Sequence, residues 1–118
     1  MKKHDINLLE LIPTRTFGWS EDEEGVVTVD MPRFHVAWMQ RLLVPRAKYP
    51  YIRVKLDRFG SHVWKQIDGV RTVLEVAELL RAEFGDAVED HEARVAAFMR
   101  LLQRRAFVTL KTAEGEMV

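Results

Sequence analysis

The chain has 118 residues, 47% of them hydrophobic and 31% charged, which is typical of a single globular domain with its own core. Its formal net charge is zero, so no overall field attracts it to nucleic acid or to an anionic membrane. The absence of cysteine excludes disulfides, thiol catalysis and cysteine-ligated clusters within the chain.

Residues 1–15 form a predicted N-terminal arm, whose apolar cluster lies just before Pro13. The arm begins Met-Lys-Lys-His-Asp, without the apolar region and cleavage site of a signal peptide. No apolar run along the chain is long enough to span a bilayer. We therefore expect a cytoplasmic protein with no membrane partner.

Two strands are predicted next, over Thr16–Ser20 and Val26–Met31. The acidic run 21–24 and Gly25 between them predict a hairpin turn, in which glycine supplies a positive φ. Residues 33–50 are a basic connection in which Val36–Leu43 has the pattern of two helical turns.

The segment Tyr51–Leu56 alternates strictly between two kinds of side chain, which predicts a strand with one buried face. Its apolar face consists of Ile52, Val54 and Leu56. Its other face consists of Tyr51, Arg53 and Lys55. If nothing covers the outer side of this strand, its main chain can pair with another chain. The two basic side chains also have a simpler interpretation, because charges on an edge strand prevent aggregation.

Three helices follow this strand. Asp57 predicts the start of the first, which runs to Ile67 and ends with Gly69 at a C′ position. Thr72 and Glu75 form a capping box for the second, which ends at Gly85. The third runs from about Glu89 to Arg105, with the apolar stripe His91, Val95, Phe98, Met99, Leu102 and Ala106.

This order of two or three strands followed by three helices predicts an α+β, winged-helix-like fold. Phe107–Leu110 is a further predicted short strand. The predicted domain covers residues 16–110, and residues 111–118 are a C-terminal tail without a strong structural pattern.

The chain resembles the PqqD family of pyrroloquinoline quinone biosynthesis and the related recognition elements for ribosomally made, modified peptides. The residues that carry the resemblance lie within 51–110: Val54-Lys-Leu-Asp57 before Gly60, Val63-Trp64, Ile67-Asp-Gly69, Arg71-Thr-Val73, Glu75-Val76 and the Phe98–Leu102 region. The resemblance implies an N-terminal three-stranded antiparallel sheet followed by a three-helix bundle. It also implies a non-catalytic peptide chaperone without a cofactor. Such a protein binds the leader of a precursor peptide as an added strand and presents it to a radical S-adenosylmethionine enzyme.

The resemblance also implies that the added strand lies in a groove between Tyr51–Leu56 and the third helix. On a helical wheel, Leu101 falls beside the core stripe and is bordered by arginines, as a groove for an acidic, amphipathic peptide requires. A solitary exposed leucine is equally ordinary. The predicted peptide-binding residues are Tyr51, Ile52, Arg53, Val54, Lys55, Leu56, Arg94, Ala97, Phe98, Leu101 and Arg105.

The charges of the chain are distributed unevenly. Residues 1–32 carry 3 basic and 7 acidic side chains, residues 33–58 carry 7 and 1, and residues 59–118 carry 8 and 10. The basic middle set is Arg33, Arg41, Arg46, Lys48, Arg53, Lys55 and Arg58. This set either attracts an acidic partner or neutralises the acidic run 21–24 within the fold.

The sequence supports three other functions less well than peptide binding. A winged-helix DNA-binding regulator shares the fold, but the zero net charge and the acidic start Glu89–Glu92 of the third helix disfavour nucleic acid. A homodimer that exchanges its 1–50 region is a further hypothesis. The four histidines show no metal-ligand spacing, and no catalytic constellation is visible, so we expect neither a metal site nor an enzyme.

Overall fold

The computed structural model describes residues 7–32 and 51–118. The predicted helical turns at 36–43 lie outside the described residues, as do four of the seven basic side chains of the middle set. Within the described ranges the fold is α+β and contains five strands and three α-helices.

The strands form two antiparallel sheets. They are β1 (Ile12–Arg15), β2 (Gly18–Glu21), β3 (Val27–Pro32), β4 (Tyr51–Lys55) and β5 (Val108–Lys111). Strands β2, β3 and β4 form one sheet in that order, which confirms the predicted three-stranded antiparallel sheet. Strands β1 and β5 form the second sheet.

The turn between β2 and β3 is built around Asp22. Its carboxylate accepts hydrogen bonds from the main-chain N–H groups of Glu24 and Val26, each at 2.9 Å. The bond from Val26 is the largest cause that holds the pKa of Asp22 below its ordinary value. Gly25 completes the turn at φ 84°, a conformation that glycine adopts without steric cost. The predicted hairpin is therefore confirmed.

The helices are α1 (Arg58–Gln66), α2 (Val73–Phe84) and α3 (His91–Arg104). The capping box of α2 is present: the Thr72 hydroxyl accepts from the Glu75 N–H, and the Glu75 carboxylate accepts from the Thr72 N–H. Gly85 ends this helix at φ 53°. Both predicted boundaries of α2 are confirmed.

The predicted end of α1, at Ile67 with Gly69 at C′, is wrong by one residue. The helix ends at Gln66 with Ile67 as its C-cap, so Gly69 does not occupy a C′ position. Gly69 instead lies in the turn toward α2, where it has a φ of 79°. This turn is stabilised by the Asp68 carboxylate, which accepts two main-chain hydrogen bonds.

Helix α3 begins at His91, two residues later than predicted from Glu89. Asp90 occupies the left-handed region at φ 48° and therefore cannot continue a helix. Its carboxylate accepts a hydrogen bond from the Ala93 N–H at 3.2 Å, so Asp90 is the N-cap.

One hydrophobic core joins the three helices to both sheets. Its largest fully buried side chains include Trp64 and Ile67 from the α1 region, Leu80 from α2, Met99 from α3 and Leu110 from β5. Ser61 is a polar side chain within this core. Its hydroxyl accepts a hydrogen bond from the Val27 N–H at 2.8 Å, which fastens α1 to the start of β3.

Strand β5 begins one residue later than the predicted Phe107–Leu110 and pairs with β1, in register from Ile12↔Lys111 to Arg15↔Val108. No pattern in the sequence predicted this partner, which lies in the predicted arm. Ala106 makes the turn between α3 and β5 at φ 63°. Its carbonyl accepts a hydrogen bond from the Thr16 hydroxyl, which ties the end of α3 to the β1–β2 connection.

The C-terminal tail folds back along the outer edge of β5. The Thr112 N–H donates to the Glu116 carbonyl at 2.8 Å, and the Val118 N–H donates to the Leu110 carbonyl at 2.9 Å. The Gln103 amide of α3 also donates to the Val118 carbonyl, at 3.3 Å. The tail therefore has an ordered position that its sequence pattern did not predict.

Candidate functional site

Within the described ranges, strand β4 pairs with β3 alone. The Leu56 N–H donates to the Val27 carbonyl at 2.8 Å, so residues in phase with Leu56 direct their main-chain groups toward β3. The intervening residues Tyr51, Arg53 and Lys55 direct theirs away from the sheet. Among the described residues, no main-chain partner meets the outward N–H and C=O groups of β4.

The apolar face of β4 is less buried than its alternation predicted. Ile52 is 39% exposed, while Val54 and Leu56 are half-buried. The cross-strand neighbours explain the difference: Val29 is fully buried in the core, but Met31, which lies opposite Ile52, is only half-buried. The apolar face of the sheet therefore extends beyond the part that the helices cover.

An open groove lies between this uncovered face and α3, with a volume of about 200 Å³. Its lining is apolar apart from one guanidinium: Met31, Val54, Leu56, Phe98, Leu101, Leu102, Arg105 and Phe107. Leu101 is 41% exposed, so its side chain is a wall of the groove and not part of the closed core.

Five of the predicted binding residues line this groove, namely Val54, Leu56, Phe98, Leu101 and Arg105. The other six lie outside its lining. The adjacent strand edge contains Tyr51, Ile52, Arg53 and Lys55, and α3 exposes Arg94 and Ala97.

At the end of the groove near α1, the close packing of Phe98 and Leu56 requires a glycine at position 60. A Cβ placed on Gly60 would lie 3.1 Å from the Phe98 ring and 3.5 Å from the Leu56 side chain. The Phe98 ring also meets Phe59 edge-on, with centroids 5.8 Å apart. The Arg94 guanidinium of α3 lies 5.0 Å from the Phe59 ring centroid, which is a cation–π contact.

The opposite face of β4 is polar. The Arg53 guanidinium lies 3.4 Å from the carboxylate of Asp30, its directly opposite neighbour on β3. The charge of Lys55 contributes to the lowered pKa of Asp22. In the acidic run, Glu21 pairs at 2.8 Å with Lys65 of α1, which is not a member of the basic middle set. Of the basic set, Arg53 and Lys55 thus face acidic groups of the same fold.

The groove is also lined by Met31, Leu102 and Phe107, which were not among the predicted binding residues. A usable signal existed for Met31, because Val27, Val29 and Met31 follow the strand period and share one face. Phe107 could not be inferred, since its position depends on the pairing of β5 with the distant β1.

The two histidines within the described ranges, His62 and His91, each contact other residues of the fold. His91 Nε2 lies 2.9 Å from the Gly85 carbonyl oxygen. The His62 ring meets Phe84 edge-on, and its burial lowers the pKa of the imidazole below the ordinary value. No cluster of potential metal ligands occurs in the described ranges.

Comparison with known families gives one match, to the family described as coenzyme PQQ synthesis protein D (PqqD), over residues 47–108. The match covers more than half of the chain. This chain belongs to the PqqD family. The resemblance drawn from residues 51–110 is confirmed, and the match includes β4, the three helices and most of the groove lining.

No curated protein and no solved structure matches the chain. PqqD proteins are non-catalytic accessory proteins of pyrroloquinoline quinone synthesis, and membership is consistent with a chain that is not an enzyme. None of the helices in residues 7–32 and 51–118 is long and apolar enough to cross a membrane.

Proposed function

We propose that this chain binds the leader of a ribosomally made precursor peptide by strand addition to β4 and presents the peptide to a radical S-adenosylmethionine enzyme. The observation that carries the proposal is the outer edge of β4, with which no strand in residues 7–32 and 51–118 pairs, beside an apolar groove. The identity of the partner enzyme rests on family membership alone.

Strand addition would use two kinds of contact. The outward main-chain groups of Tyr51, Arg53 and Lys55 would form a hydrogen-bond ladder with the peptide, independent of the peptide sequence. Every second side chain of the peptide would then point toward Phe98 and Leu101 in the groove. The ladder supplies affinity and the groove supplies selectivity, which suits a protein that binds one segment of a longer chain.

The proposal is tested by titrating labelled protein with the precursor peptide encoded beside its gene. We expect backbone shifts in residues 51–56 and 94–105, and slower amide exchange at Arg53 and Lys55 in the complex. Unchanged shifts in both segments would refute strand addition at this site.

A matched pair of variants separates the groove from the surface in general. Leu101→Glu places a charge among apolar groove residues and should weaken peptide binding by about tenfold or more. Val70→Glu changes another exposed aliphatic residue, 74% accessible in the turn between α1 and α2, and should leave affinity within about twofold. Equal effects would exclude the groove as the binding site.

The presentation step needs its own measurement. The rate at which the neighbouring radical enzyme modifies its peptide should increase when this chain is added, and Leu101→Glu should abolish the increase. A rate that does not depend on this chain would limit the proposal to peptide binding.

A further inference from the structure

The wall of α3 that faces the groove carries a regular pattern of charge. Arg94, Phe98, Leu101 and Arg105 follow one another at intervals of four, three and four residues, which places them along one face of the helix. Two apolar side chains thus lie between two guanidinium groups.

Both guanidinium groups are available to a ligand. In the described part of the chain, neither Arg94 nor Arg105 has a carboxylate within salt-bridge distance, and the Arg94 guanidinium lies over the ring of Phe59. By contrast, Arg53 on the other face of β4 already faces Asp30. None of the described residues that line the groove is acidic.

The distance between the two arginines determines which spacing of acidic side chains in a bound peptide would match them. Arg105 follows Arg94 by eleven positions, or about 16 Å at a rise of about 1.5 Å per residue. An extended peptide rises about 3.3 Å per residue, so this distance corresponds to about five residues. Side chains on one face of a strand recur at every second residue, so two acidic side chains on that face can be four positions apart but not five. The long arginine side chains can span the difference between these two spacings.

We infer that the groove selects an extended peptide with the pattern acid-x-apolar-x-acid. The central apolar side chain would lie against Phe98 and Leu101, and the two carboxylates would lie near Arg94 and Arg105. This inference rests on the proposed function, because it assumes that the peptide is added to β4.

The test uses three labelled heptapeptides. The first is Thr-Glu-Val-Leu-Val-Glu-Thr; the second replaces both Glu with Gln, and the third replaces the Leu with Ser. The Gln peptide should bind about tenfold more weakly than the first, since each exposed ion pair contributes about two- to fivefold. Added salt should weaken binding of the first peptide and leave the Gln peptide unaffected.

Charge-matched variants of the protein test which arginines interact with the carboxylates of the peptide. Arg94→Gln and Arg105→Gln should each weaken binding of the Glu peptide by about two- to fivefold and leave binding of the Gln peptide unchanged. Arg104→Gln is the control, because it removes the same charge from the neighbouring position, about 100° around the helix. It should not change the affinity for either peptide.

The outcomes separate the two proposals. If the Glu and Gln peptides bind equally well but the Ser peptide binds more weakly, strand addition in the groove stands and the arginine pattern is wrong. If none of the peptides, nor the precursor peptide, perturbs residues 51–56, both proposals are wrong. A loss with Arg104→Gln equal to that with Arg105→Gln would also overturn the inference, since charge alone would then explain it.

Discussion

The outer edges of β4 and β5 differ in what covers them. The C-terminal tail lies along β5 and bonds to the Leu110 carbonyl and the Thr112 N–H. Among the described residues, no equivalent segment lies along β4. An unpaired edge is a template for any passing strand, and proteins usually cover or disrupt it. The comparison indicates that β5 is a structural edge, whereas β4 is a candidate for recognition.

The largest expected effect comes from proline in β4. Val54→Pro removes an N–H that faces β3 and should lower the free energy of unfolding by about 3 kcal/mol. Arg53→Pro removes an outward N–H and an exposed ion pair, so we expect a loss of about 1 kcal/mol together with the loss of peptide binding. Urea denaturation measures both. Equal losses of stability would mean that the N–H of Arg53 already has a partner.

The second prediction concerns the buried hydroxyl that anchors the open sheet to α1. Ser61→Ala leaves the Val27 N–H without its acceptor in the core and should cost about 1–3 kcal/mol. Ser20→Ala, on an exposed residue of β2, should change stability by less than about 0.5 kcal/mol. Indistinguishable midpoints in urea for the two variants would contradict the role of this hydrogen bond.

The third prediction tests the covered edge. Removal of residues 113–118 deletes the two main-chain hydrogen bonds that the tail makes with Leu110 and Thr112, and should lower stability by about 1–2 kcal/mol. The Thr112 amide should then exchange rapidly with solvent. Gln103→Ala is the control, since it removes only a side-chain contact with the tail. Peptide affinity at β4 should not change in either variant.

The smallest effect concerns His62, which lies on α1 away from both edges. Burial lowers the pKa of its imidazole in the fold, so the unfolded chain, with a pKa near 6.5, binds the proton more readily. Stability should be full above pH 6.5 and should fall as the pH decreases below that value. His62→Gln should remove this component of the pH dependence. Stability that rises on acidification through this range would contradict the assignment.

The features of the fold that could be predicted from the sequence are those set by residues close together in the chain. The capping box of α2, the turn at Gly25 and the N-cap at Asp57 each depend on residues within a few positions of one another. Strand β4 was predictable for the same reason, because alternation is a local property. Helix ends were less predictable where a side chain capped the helix from an unusual backbone conformation, as Asp90 does.

Long-range pairing was the part that could not be predicted. The partner of β5 lies almost 100 residues earlier, in a segment whose only visible pattern was an apolar cluster before Pro13. The exposure of Ile52 likewise depends on how far the helices extend over the sheet. Consequently the sequence identified Leu101 and Phe98 as candidate groove residues but not their neighbours Met31 and Phe107.

The polar face of β4, with Arg53 held by Asp30, has a consequence for any peptide that docks beside it. A strand directs alternate side chains to opposite faces, so an added peptide would bury one set in the groove and display the other beside Tyr51 and Lys55. Docking would thus bury one set of alternate peptide side chains and leave the other set exposed. A second protein could contact the exposed side chains while the peptide stays bound in the groove.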